Sequence, residues 1–65
     1  MKPREERLVA ALDQLPMVAR VVYLLAATDG MSHADIAFRL GISEKEVEAE
    51  LAQALVLLDA ALDDP

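Results

Sequence analysis

The sequence predicts an all-α fold, a single four-helix domain spanning residues 1–65, and composition, apolar spacing and punctuation all point to it. Hydrophobic residues make up 55% of the chain and are mostly Ala, Leu and Val, with Tyr23 and Phe38 as the aromatics. That palette suits packed helices better than sheets, which draw on β-branched and aromatic side chains. The apolar residues recur at helical spacing, and Pro, Gly and Ser-x-x-acid patterns stand where helices must start and stop. At 65 residues the chain is close to the lower size at which a core alone sustains folding.

Pro3 suits a first turn, and Leu8, Val9, Ala11, Leu12 and Leu15 follow at helical intervals, predicting a first helix over residues 4–14. Pro16 closes it and opens the next. Residues 17–28 are apolar on nearly every face except at Arg20, the pattern of a central helix surrounded by the others. Asp29 and Gly30 end that helix, glycine accepting a left-handed C-terminal conformation. Ser32 and Asp35 have capping-box spacing, and Ile36, Ala37 and Leu40 give a short third helix that stops at Gly41. Ser43 and Glu46 repeat the box. Val47, Leu51, Ala54, Leu58 and Ala61 then predict a fourth helix over residues 44–61, long enough at about 1.5 Å per residue for its C-terminal half to project beyond the turn.

The most specific signal is Ile36-Ala37-x-x-Leu40-Gly41-Ile42-Ser43-x-x-x-Val47-x-x-x-Leu51. A small residue where two helices cross, a glycine for the tight turn and an apolar wedge of Ile36, Leu40, Ile42, Val47 and Leu51 define a helix-turn-helix scaffold. No strand-built wing is expected beside it.

With these landmarks the chain resembles region four of bacterial sigma factors of the sigma-70 class, most closely the extracytoplasmic-function group. The likeness runs over about residues 8–58. It is carried by Leu12 and Leu15-Pro16, by Arg20-x-Val22-Tyr23-Leu24-Leu25, by Asp29-Gly30-Met31-Ser32-His33-x-Asp35-Ile36-Ala37, and by Leu40-Gly41-Ile42-Ser43 with Val47. The resemblance implies a four-helix domain that reads an upstream promoter element and touches the flap of RNA polymerase.

The departures fall where that family meets DNA. Its recognition helix usually opens with threonine, valine, lysine, serine and arginine; here Glu46, Val47, Glu48, Ala49 and Glu50 stand there, followed by Ala52 and Gln53. Ala26 replaces a basic residue common after the paired leucines. The recognition surface is accordingly Ser43, Glu44, Lys45, Glu46, Glu48, Ala49, Glu50 and Gln53, and its carboxylates repel the phosphates that Lys and Arg would neutralise. Charge placement agrees: residues 1–43 balance, and the whole excess of −6 lies in residues 44–65. Glu44 and Glu46 also favour the positive end of the helix, but Glu44 with Glu48 and Glu46 with Glu50 are like-charge pairs one turn apart.

The expected function is therefore a region-four-like module of transcription that acts mainly through protein contacts, to RNA polymerase or to a regulator such as an anti-sigma factor, with DNA binding weak or absent. The alternatives are an ordinary promoter-reading domain and a stand-alone mimic that occupies an anti-sigma factor. Leu55, Val56, Leu57 and Leu58 are consecutive and cannot all face one core. Leu55, Val56, Leu57 and Leu62 are thus a candidate surface for a partner helix or a second copy of the chain.

No enzymatic role, cofactor or metal is expected. Cysteine is absent, the single histidine, His33, has no second acid placed with it, and no glycine-rich phosphate loop is present. Acids at 44, 46, 48 and 50 alternate around a helix, so at best pairs share a face. Arg20, Arg39 and Lys45 are isolated charges more suited to nearby acids than to phosphate. Met17 and Met31 suit the core or its rim, and Tyr23 a core position with its hydroxyl in water. No apolar run is long enough to cross a membrane and no signal-type core follows the charged start, so a soluble, cytoplasmic protein is expected.

Overall fold

The computed structural model describes residues 3–63, which form four helices and, among the described residues, no strand. These are α1 (Arg4–Asp13), α2 (Met17–Ala27), α3 (His33–Leu40) and α4 (Glu44–Leu62). Pro3 and Pro16 stand at the N-caps of α1 and α2 with extended ψ, where a missing N–H leaves no helical bond unmade. Gly30 and Gly41 have positive φ, 65° and 71°. At Gly41 this lets the backbone reverse while the carbonyl of Ala37 accepts from the N–H groups of both Gly41 and Ile42. A Cβ there would meet nothing within 4 Å, so the requirement for glycine is conformational.

The long helix, not α2, is the hub. Residues 17–28 read as a helix surrounded by the others; α2 does lie against α4 and α3 and shares a cluster with α1 through Ala19, but it leaves Met17 71%, Val18 46% and Leu24 39% exposed, whereas α4 packs along its length against all three. An apolar composition on every face does not by itself bury a helix in a domain this small, where too few neighbours exist to cover it.

Two apolar clusters lie along one side of α4. Near its start Val47 joins Val22, Ile36 and Ala37, with Leu25, Ala26, Met31, Leu40, Ile42 and Leu51 packed around them. Further along, Ala54 and Leu58 meet Ala11, Leu15 and Ala19, flanked by Leu8, Leu12 and Tyr23. The C-terminal half of α4 therefore does not project freely, because α1 folds back onto it. Arg7 fastens that contact, its guanidinium donating to the Leu62 carbonyl at 2.9 Å across 55 residues of sequence. No basic residue stands in the last turn of α4, so Arg7 supplies the cation that a helix C-terminus favours. Two apolar residues expected to pack lie outside the clusters: Val9 is 59% exposed, and Ala61 is also exposed.

Ile36 is fully buried where three helices meet, so Ile36→Ala should lower stability by about 2–5 kcal/mol. That is a large part of the roughly 3–10 kcal/mol expected of a domain this size. Arg7→Ala removes one partly buried hydrogen bond and should cost about 1 kcal/mol. Urea unfolding followed by circular dichroism measures both, and equal losses would contradict the assignment of Ile36 to the core and Arg7 to its edge.

Candidate functional site

The scaffold residues of the helix-turn-helix are brought together as a wedge. Ile36, Ala37 and Val47 are buried, and Leu40, Ile42 and Leu51 are half-buried against them around the turn at Gly41. This wedge fixes the angle at which α4 leaves α3. The launch of α4 is held by a complete capping box. The Ser43 hydroxyl oxygen accepts from the Glu46 N–H at 3.0 Å, while a Glu46 carboxylate oxygen accepts from the Ser43 N–H at 3.4 Å and from its hydroxyl at 3.2 Å. At α3 the same spacing gives half of that arrangement: the Ser32 hydroxyl oxygen accepts from the Asp35 N–H at 3.1 Å. The reciprocal bond is absent among the described residues, an aspartate being one methylene shorter than the glutamate that completes the box at α4.

The outward surface of α4 is acidic. Glu44, Glu46 and Glu48 are exposed, Glu50 is half-buried, and Ser43, Lys45, Ala49 and Gln53 are exposed beside them. Of the four glutamates, Glu46 alone has a hydrogen-bond partner among the described residues, and none forms an ion pair. The ion pair present joins Arg20 to Asp13 at 3.9 Å, with both side chains partly in water, so it contributes little. Arg39 and Lys45 are exposed, and neither has an acid within 4 Å among the described residues.

The candidate partner residues are spread around α4. Leu55 is 51%, Val56 67% and Leu57 40% exposed, whereas Leu62 is half-buried. At about 100° per residue Leu55 and Leu57 point roughly 200° apart with Val56 between them, so one straight helix cannot cover Leu55, Leu57 and Leu62 as a single face.

Sequence reasoning passed over Phe38, which is 91% exposed on the outer side of α3. Its offset from Ile36 and Ala37 on a helical wheel was the available signal. Met17, expected at the core or its rim, is likewise in water, while Tyr23 and Met31 pack against the two clusters. Among the described residues no group of three or more His, Asp or Glu side chains is placed to hold a metal ion. Nor is any helix among them long and apolar enough to cross a membrane.

Residues 5–58 match the family described as Sigma-70, region 4. The chain belongs to that family. It is 36% identical over 56 residues to the RNA polymerase sigma factor NccH of Alcaligenes xylosoxydans xylosoxydans, a match covering 86% of this chain and 30% of that protein. The chain thus spans less than a third of the relative's length. No solved structure matches. Membership makes this a helix-turn-helix module of a family of non-enzymatic, DNA-binding transcription regulators, and α3 and α4, joined through Gly41, are the helices of the matched segment that form the helix-turn-helix.

The capping box gives a direct test of how α4 is held. Ser43→Ala should cost about 1 kcal/mol and fray the first turn, whereas Glu46→Gln, which keeps an acceptor for the Ser43 N–H, should cost clearly less. Amide exchange at Glu46 and Val47 reads the fraying. Equal protection in both variants would show that the wedge alone fixes the start of the helix.

Proposed function

We infer that this region 4 module serves transcription mainly through protein contacts, to RNA polymerase or to a regulatory protein such as an anti-sigma factor, and that its own reading of DNA is impaired. The observation that carries this is the sign of α4: Glu44, Glu46 and Glu48 stand exposed with Glu50 beside them, where contact with a phosphate backbone needs cations. The scaffold that presents the helix is intact, so the impairment lies in surface chemistry rather than in folding. Lys45 is the single cation on α4 and is outnumbered along the whole helix.

A second reading, an ordinary promoter-binding domain, is favoured by family membership and by the similarity to an RNA polymerase sigma factor. The two readings differ in how the isolated chain treats duplex DNA.

Fluorescence anisotropy should show promoter-like and random duplexes binding equally weakly at low salt, and barely at all at physiological salt. The triple variant Glu48→Lys, Glu50→Arg, Gln53→Arg should keep its helicity by circular dichroism and gain measurable affinity. Each new phosphate contact should steepen the logarithmic dependence of affinity on salt by about 0.9. Tight, sequence-selective binding by the unmodified chain would overturn the inference in favour of promoter reading.

A further inference from the structure

We propose that the outer face of α4 is a docking strip for a basic amphipathic helix of a partner protein. The proposal rests on the protein-contact reading above and specifies the surface and the chemistry of what covers it.

The strip follows from the geometry of one helix. Val47, Ala54 and Leu58 are buried on the core side, and at about 100° per residue Lys45, Ala49, Ala52, Val56 and Ala60 fall on the opposite side. All five are exposed, Val56 by 67%. From Ala49 to Ala60 the spacings are three, four and four residues, a straight apolar line roughly 16 Å long. A small residue at each position but Val56 lets a second helix approach closely, and Val56 supplies the one knob.

Two acidic rims border this line. Glu46 and Glu50 run along one side, Glu48 and Asp59 along the other, and Leu57 and Leu55 lie on the respective rims. Lysine and arginine place an aliphatic stem beneath a charged head. A helix with an apolar stripe and basic flanks would lay its stems over Leu55 and Leu57 while its heads reach the carboxylates. That arrangement accounts for three consecutive exposed aliphatic residues that otherwise point in three different directions.

Charge also decides between occupants. Against Lys45, α4 carries Glu44, Glu46, Glu48, Glu50 and Asp59, with Asp63 at its C-cap, so a second copy would set acid against acid along both rims. Duplex DNA meets the same repulsion and finds no row of donors among alanines. A basic helix alone satisfies the apolar line and both rims together.

The test titrates the full chain with a synthetic helical peptide of about 18 residues, with Leu and Ala at stripe positions and Lys along both flanks. Two controls accompany it: a scrambled peptide of the same composition, and one in which Glu replaces each Lys. Calorimetry should show saturable binding of the first peptide that weakens as salt rises, and none of the acidic one. Val56→Asn should weaken binding at least about tenfold, or 1.4 kcal/mol, without changing the unfolding midpoint, and Phe38→Ala, on another helix, should leave it unchanged.

Equal binding of the scrambled peptide would overturn the proposal, because a diffuse acidic surface would then suffice. So would undiminished binding by Val56→Asn, or sedimentation showing a dimer that this substitution dissociates. A parallel titration with duplex DNA separates the two claims. Absence of both peptide and DNA binding removes the docking strip and leaves protein contacts to another face, whereas tight selective DNA binding removes the protein-contact reading itself.

Discussion

The structure depends on one seam, the side of α4 that carries Val47, Ala54 and Leu58. Every other helix reaches the core through it: α2 and α3 around Val47, α1 and the start of α2 around Ala54 and Leu58. Alanines at 11, 19, 37 and 54 keep the helix axes close, so a small number of buried side chains excludes water along the whole length of α4. The arrangement is thin, with principal extents of 40 × 18 × 15 Å. Since one side of the long helix serves all three partners, its other side, apart from Glu46 in the capping box, makes no packing contact that constrains its chemistry.

That separation explains how a scaffold for reading DNA tolerates a reversed surface charge. The wedge of Ile36, Ala37 and Val47 is closed to solvent and does not sense the carboxylates opposite it. Glu46 is favourable where it stands, inside the capping box and near the positive end of the helix. The like-charge pairs formed with Glu48 and Glu50 cost roughly 0.2–0.5 kcal/mol each, little beside the burial of one isoleucine. Folding therefore constrains the acids weakly, and what they contact must be sought in binding.

The fold was legible wherever a local rule sufficed. Pro16, Gly41 and the Ser43–Glu46 pair placed three helix boundaries to within a residue, and the wedge residues were identified from spacing alone. What stayed hidden is long-range. Nothing in residues 17–27 says that they lie at an edge rather than at the centre, and nothing near Arg7 says that its partner is the carbonyl of Leu62. Val9 fits the helical period of its neighbours and is nonetheless in water, because a wheel gives direction but not the presence of a neighbour. The sequence also showed the acids of α4 as a group, and the structure adds that Glu44, Glu46 and Glu48 are exposed. Which residues of α4 face away from the core could be named only once the side used by the other helices, that of Val47, Ala54 and Leu58, was known.

Whether such a module works alone or as part of a longer chain, the sign of its recognition helix limits what linkage can achieve. Tethering raises the effective concentration of a weak binder, to about the millimolar range for short linkers, and so strengthens an attraction already present. It cannot turn a repulsive surface into an attractive one. Within the screening length of about 8 Å at physiological salt, phosphates approaching α4 meet Glu44, Glu46 and Glu48 with Lys45 as the only cation on that helix, so the net charge of α4 opposes their approach. The same tether brought beside a basic protein surface amplifies a favourable term. On the proposed protein-contact reading, the acidic face of α4 favours protein surfaces over phosphate in any architecture that holds it near a promoter, with the helix-turn-helix as its mount.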